Sequence, residues 1–267
     1  MITAGDALRA GDIAGALAAA TAAVKAAPTD ADARWLMAEI LLLTGDAERA
    51  DRMLDAAALH EPNPAVLEFR KLLRAEVLRG QVLREGRAPK YQGDDATPAQ
   101  QAALRSRMLF RLGDVAAANA ATEEVETLRA PAPGRFEEAD GKHIDFNDLR
   151  DADDLLAAEF EVLTTAGDYL LVPVARVRSL AFDAPRRTRD LIWRRCSIEL
   201  KDGIEGVVFL PVTYLGSRVE TDNALLLGRA TEWTDPADGP VRGRGQRMLL
   251  AGEEMVPFIS LHSVVFD

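Results

Sequence analysis

Five aspartates, Asp145, Asp148, Asp151, Asp153 and Asp154, crowd the approach to the apolar run Leu155-Leu156-Ala157-Ala158. Carboxylates in such a cluster can ligate a divalent cation for a metal-dependent enzyme. They can equally cap the free amides and complement the dipole of a helix beginning at Leu155. A calcium loop of the EF-hand kind needs a turn glycine and a late glutamate at set offsets, and neither is in place, so capping is the expectation. A second cluster runs from Pro185 to Arg195, with five arginines and Trp193. Arg186, Arg187, Arg189 and Trp193 would suit docking of an acidic partner. Alternatively the arginines pair internally, with the Asp145 to Asp154 carboxylates as partners and their stems laid over Trp193. Internal pairing is placed first, protein docking second, and nucleic acid well behind both.

Other chemical signals are thin. His60, His143 and His262 have no second ligand at a useful spacing, and neither a G-x-S-x-G elbow nor a phosphate-binding G-x-x-x-x-G-K-[ST] loop occurs. Gly243-Arg244-Gly245 is a fragment of a dinucleotide fingerprint and reads as a surface turn. The single cysteine, Cys196, excludes an intramolecular disulfide and reads as a small buried apolar residue. No catalytic residue, metal or cofactor is expected. The 267 residues carry a net charge of -11, divided as -5 over 1–140 and -6 over 141–267, so neither half is a basic nucleic-acid module. No apolar run approaches the roughly 18 residues of a membrane helix, and the amino terminus lacks a secretory pattern, so a cytoplasmic protein is expected.

The elements that position these residues show a repeat. Gly11-Asp12, Gly45-Asp46 and Gly113-Asp114 are spaced by 34 and 68 positions, once and twice the period of tetratricopeptide-like helical hairpins. The middle copy predicts a helix over Ala31 to Thr44, a Gly45-Asp46 turn, and a second helix over Ala47 to His60 that Pro62 and Pro64 end. Small residues such as Ala16, Ala38, Ala50, Ala57 and Ala118 fall where helices must approach closely. The phase places a further turn at Arg79-Gly80, inside the helical run Ala65 to Arg84. An α-solenoid presents a groove, for which Trp35, Glu39, Leu42, Arg107 and Phe110 are candidate partner-binding residues. A plain helical bundle, with Trp35 and Leu42 in its core, is the alternative.

At Pro131-Ala132-Pro133-Gly134 the alanine-rich texture stops. The expected organisation is therefore α+β in two domains, a helical solenoid over 1–134 and a mainly antiparallel β domain over 135–267. Asp202-Gly203 should turn a hairpin between Ser197–Leu200 and Glu205–Leu210, and Ala166-Gly167 another between Phe160–Thr164 and Asp168–Val172. Residues 172–183 also echo 256–267 at a constant offset of 84, sharing Val, Pro, Ser, Phe and Asp. Each copy reads as a strand end, a proline-started turn and a short strand, giving two equivalent corners of a small barrel or curled sheet.

Several of these segments, taken in order, resemble a known family. They are Asp148 to Asp154, Tyr169 to Pro173, Pro185 to Trp193, Phe209 to Pro211, Leu227 to Trp233 and Val241 to Arg247, with Arg34-Trp35 and Gly45 to Ala50 in the helical half. They look like the ImpE/TagJ (SciE-type) accessory proteins of bacterial type VI secretion. The resemblance implies a non-enzymatic adaptor that binds an N-terminal helix of the small sheath subunit and is linked to the AAA+ ATPase that recycles contracted sheath.

Overall fold

The structure, a computed structural model, describes residues 2–58, 63–93, 95–219 and 221–267. His60 and Pro62 lie outside the described residues. Seven helices come first: α1 (Ala4–Arg9), α2 (Ile13–Ala26), α3 (Ala31–Leu43), α4 (Ala47–Ala58), α5 (Pro64–Gly80), α6 (Pro98–Arg111) and α7 (Val115–Leu128), with a two-residue strand β1 (Lys90–Tyr91) between α5 and α6. The three Gly-Asp steps share one geometry. Gly11, Gly45 and Gly113 close their helices at φ 80°, 81° and 81°, a region a side chain rarely adopts. The aspartate that follows each one then caps the next helix, accepting from the amides of Gly15, Arg49 and Ala117 at 2.7, 3.0 and 3.1 Å. One turn later Ala16, Ala50 and Ala118 are fully buried, and the helices of each hairpin touch there.

Two expectations in this half are corrected. Pro64 opens α5 rather than closing α4. It stands at the first helical position, where its missing N–H costs nothing, and Asn63 accepts from Ala65 N at 2.9 Å. There is also no turn at Arg79-Gly80: α5 runs through to Gly80 and continues into a π-helical turn over Gln81–Glu85, which Gly86 ends at φ 79°. Arg79 is drawn inward instead of standing at a surface turn.

The strands are β2 (Gly134–Glu138), β3 (His143–Phe146), β4 (Leu149–Asp151), β5 (Glu159–Thr164), β6 (Tyr169–Pro173), β7 (Val177–Phe182), β8 (Trp193–Leu200), β9 (Glu205–Pro211), then a short helix α8 (Asn223–Leu226), β10 (Thr231–Trp233), β11 (Gly243–Gly245), β12 (Met248–Ala251), β13 (Glu254–Pro257) and β14 (Leu261–Phe266). Nine form one sheet in the order β1-β6-β5-β9-β8-β7-β14-β2-β3; β13-β12-β4 and β10-β11 form two smaller ones. The large sheet is open, so the fold is helical then mainly antiparallel β, without the closed barrel. Both predicted hairpins form, with Gly203 and Gly167 at φ 87° and 97°.

The 84-residue echo has a structural meaning. In both copies a strand ends at proline, Pro173 or Pro257, passes through one 3-10 turn and enters a second strand, β7 or β14. These two strands pair antiparallel with Leu180 opposite Val264. Those residues are 84 apart, so equivalent positions face each other and the two corners are related by a local twofold.

Phe160 and Val162 face a core filled by Phe136, Phe182, Phe258 and Val264, between the large sheet and β4, β12 and β13. A second core lies on the opposite side of β5, where Ile40, Leu54, Phe69 and Leu72 from the helices pack with Leu163, Tyr169, Trp193 and Phe209 from the strands. Helices and sheet thus share one apolar core.

Candidate functional site

The helix-facing side of β5 carries two carboxylates where alternation would lead one to expect solvent. Glu159 and Glu161, both fully buried, point to α6 and α5 respectively. Arg107 of α6 donates from Nη1 to Glu159 Oε1 at 2.6 Å and to Leu155 O at 2.9 Å, and Gln100 donates to the other Glu159 oxygen at 2.9 Å. Arg79 of α5 donates from Nε and Nη2 to the two oxygens of Glu161 at 2.8 and 3.0 Å, a bidentate pair. Tyr169 OH donates to Glu161 at 2.7 Å, and Arg247 Nη1 stands 3.1 Å from it. Arg247 Nε reaches Asp151 at 2.5 Å, and Tyr214 OH donates to Asp151 at 3.0 Å. At the other end Trp193 Nε1 donates to Glu76 at 2.8 Å. A continuous buried chain of charges, Glu76, Arg79, Glu161, Arg247 and Asp151, therefore runs from α5 through the sheet to β4.

Its electrostatics follow from burial and pairing. Burial pushes Glu161 toward protonation, but the guanidiniums of Arg79 and Arg247 outweigh it and hold its pKa down to about 2. Burial likewise opposes the charge on Arg79, which Glu161 and Glu76 overcome, so its pKa is raised. The two aspartates go the other way. Burial raises the pKa of Asp151 in spite of Arg247, and burial followed by the charge of Asp151 pushes that of Asp153 up to about 7.

The aspartate cluster does not act as a unit. Residues 154–158 form a turn, not a helix, so there is no dipole to complement. Asp148 pairs with Arg129, Asp151 with Arg247 and Asp154 with Arg150, while Asp153 accepts from the amides of Leu155 and Gly243 at 2.9 and 3.0 Å. Asp145 sits exposed on β3. Among the described residues no group of His, Cys, Asp and Glu is placed to hold a metal ion. Gly243-Arg244-Gly245 is a strand, not a surface turn: a Cβ on Gly243 would come within 2.1 Å of the Tyr214 ring.

Part of each sequence-predicted partner patch meets the other: Trp35 lies beneath Arg187 and Arg189, while Arg107 and Phe110 of the first patch stand in a different cleft. Trp35 is half-buried, donates to Glu39 at 2.9 Å and packs on Phe69 with ring centroids 5.2 Å apart. The guanidiniums of Arg187 and Arg189 lie 5.0 and 5.4 Å from the centroid of the Trp35 ring, and Arg189 also reaches Glu68 at 3.3 Å. Arg189 and Arg195 therefore pair internally, but with Glu68, Asp190 and Asp183 rather than with the Asp145 to Asp154 carboxylates. Arg194 donates to the carbonyls of Leu261 and Ile259 and so holds the β13–β14 corner. Trp193 is fully buried and meets Phe69 edge-on with ring centroids 6.2 Å apart, while the Arg189 guanidinium lies over Trp35, Phe69 and Phe209. Leu42 is 0% exposed and Glu39 only 4%, so an apolar anchor at Leu42 and a selecting carboxylate at Glu39 are enclosed. Burial, partly offset by Trp35 and the two arginines, raises the pKa of Glu39.

Two of the concave surfaces among the described residues bear on partner binding. One is a groove of about 600 Å³ between α4 and α5, with Ala47, Leu73, Val77 and Leu78 along it and Asp51, Arg52 and Arg74 at its rim. The other, of about 560 Å³, is lined by Phe110 and Arg107 of α6, by the π-helical turn and by β11. Arg107 thus lies at the base of a cleft while its charge is matched by Glu159.

Sequence reading missed Glu76, Arg79, Glu161, Tyr169 and Arg247. The available signals were Arg79 standing where the repeat phase called for a turn, and two glutamates inside the apolar run 159–163.

A family model described as ImpE protein matches residues 143–265, and a tetratricopeptide repeat model matches 7–73. The type VI secretion system accessory component TagJ of Pseudomonas aeruginosa is 32% identical over 268 residues, spanning 97% of this chain and 89% of the relative. The crystal structure of a Vibrio parahaemolyticus protein superposes with a TM-score of 0.87 at 28% identity, over 99% of this chain and 97% of the other.

Proposed function

The chain belongs to the ImpE/TagJ family, and from that membership we propose that it is a non-catalytic accessory component of type VI secretion, working in the cytoplasm as an adaptor. Its partner is an amphipathic helix at the amino terminus of the small sheath subunit, through which it is linked to the AAA+ ATPase that recycles sheath. The observation that carries this reading is the open α4–α5 groove, whose apolar floor and charged rim suit one face of a helix. The face of α3 that bears Trp35 and Glu39 is covered by Arg187 and by Arg189 of the Thr188–Leu191 turn, whereas none of these residues lines the α4–α5 groove, which supports the groove as the docking surface. The buried ionisable groups support an adaptor rather than a catalyst, because each carboxylate of the Glu76 to Asp151 chain is engaged by arginine, tyrosine or tryptophan. Among the described residues no helix is long and apolar enough to cross a membrane.

The test is a pull-down of the full chain with a peptide matching the first helix of the cognate small sheath subunit. Val77→Asp places a charge on the half-buried groove floor and should abolish capture, while Arg186→Glu with Arg187→Glu should leave it intact. Capture unaffected by Val77→Asp would rule out the groove, and capture lost on reversing the two loop arginines would place the interface on the Arg186–Arg195 segment.

A further inference from the structure

The cleft beside Phe110 concentrates positive charge in a strongly acidic chain. Arg84, Arg111 and Arg242 line it, and among the described residues none of the three has a carboxylate within 4.0 Å. Asp153, the acidic residue of the lining, is engaged by two main-chain amides, those of Leu155 and Gly243. The cleft is also shaped to hold its side chains. The Arg242 guanidinium stacks 4.3 Å from the centroid of the Phe110 ring. A Cβ on Gly239 would come within 2.7 Å of that ring, and one on Gly86 within 1.9 Å of the Arg111 guanidinium, so both glycines leave room for the groups that line the cleft. Arg84 is fixed by donating to Leu215 O at 2.6 Å. Between the arginines the lining is apolar, with Phe110, Leu155 and Leu215.

We propose that this cleft is a second docking site, separate from the α4–α5 groove, for an acidic amphipathic segment of a partner protein, with carboxylates on Arg84, Arg111 and Arg242 and apolar side chains on Phe110, Leu155 and Leu215. Charge complementarity identifies the occupant. In a chain of net charge -11, a cleft that gathers three arginines with no carboxylate within reach among the described residues is complementary to an acidic segment. The apolar lining selects a peptide over a small inorganic anion.

The probe is a fluorescein-labelled amphipathic Glu/Leu helix peptide titrated with the full chain, followed by anisotropy, with a Lys/Leu peptide as control and ATP and pyrophosphate as competitors. The expected result is saturable binding of the Glu/Leu peptide alone, weakened by rising salt and by about tenfold in Arg84→Glu with Arg111→Glu, while Val77→Asp has no effect. Both arginines are exposed, so that variant should fold, which far-UV circular dichroism checks; Arg242→Ala is the second variant and should weaken binding in the same direction. The proposal is overturned by equal binding of the Lys/Leu peptide, by absence of saturable binding, or by affinity unchanged in the arginine variants. Displacement of the peptide by ATP at concentrations that pyrophosphate also matches would overturn it in favour of a phosphate site.

Discussion

Arg79 and Glu161 lie 82 residues apart, one on a helix and one on a central strand, yet meet through two hydrogen bonds of 2.8 and 3.0 Å with both side chains wholly buried. Their pairing fixes the rotation of α5 about its axis relative to β5. Because Arg247 and Tyr169 converge on the same carboxylate, the junction of helices and sheet is specified by charge as well as by shape.

Arg79→Ala should cost about 3–5 kcal/mol, since it strands the buried carboxylate of Glu161. Urea denaturation should show it as a lower midpoint with an unchanged slope. Glu161→Gln should also be less stable than the native chain at neutral pH. The native pKa of Glu161 is depressed from 4.5 to about 2, so its contribution is complete above 4.5 and disappears as pH falls toward 2. The gap between the two proteins should close over that window.

Asp153 has the opposite sign. Its pKa rises on folding from 3.8 to about 7, so the folded state holds the extra proton and this group erodes stability as pH climbs from 3.8 to 7. Asp153→Asn removes the titration. Melting temperatures of the variant relative to the native chain should therefore be more favourable at pH 8 than at pH 5, and a constant difference would show that Asp153 does not titrate there.

Leu42→Asp buries a carboxylate in the shared core and should prevent folding rather than weaken a partner contact. Trp35→Ala should leave a folded protein destabilised by about 2–3 kcal/mol, having lost its packing on Phe69 and the two guanidiniums above it. Helix content by circular dichroism and intrinsic tryptophan fluorescence should change in one coincident transition, because the same apolar core holds both halves.

Cys196 is fully enclosed, and burial pushes its thiol up to about 12. A thiol reagent at pH 8 should modify it only at the rate of unfolding, so the labelling rate should rise with denaturant in step with unfolding.

The local grammar was legible in the sequence. Gly45 at positive φ followed by the capping Asp46, Asp202-Gly203 at a hairpin and the paired prolines 84 apart are each decided by a few neighbouring residues. The long-range pairings were not. Glu159 and Glu161 alternate with Phe160 and Val162 as they would on a strand with one wet face, and nothing nearby says that helices cover that face. Arg107 was singled out for a groove because its position on the hairpin was readable, whereas its partner Glu159 lies 52 residues away. Within 186–195, Arg189 and Arg195 pair with Glu68, Asp190 and Asp183 instead of the expected Asp145 to Asp154 carboxylates, and Glu68 and the Trp35 ring could be found as partners only once the chain had folded.

The two-residue strand β1 bears on how the molecule avoids its own kind. An open sheet has two margins, and an uncovered margin is a template on which further chains polymerise. One margin is filled by Lys90 and Tyr91, a strand too short to extend the ladder, with Lys90 tethered to Asp168 at 2.6 Å. At the opposite margin β3 is four residues long and carries Asp145 outward. Both margins thus end in brief, charged strands, and a chain whose link between α5 and α6 was shortened would uncover β6 and be prone to fibrous self-association.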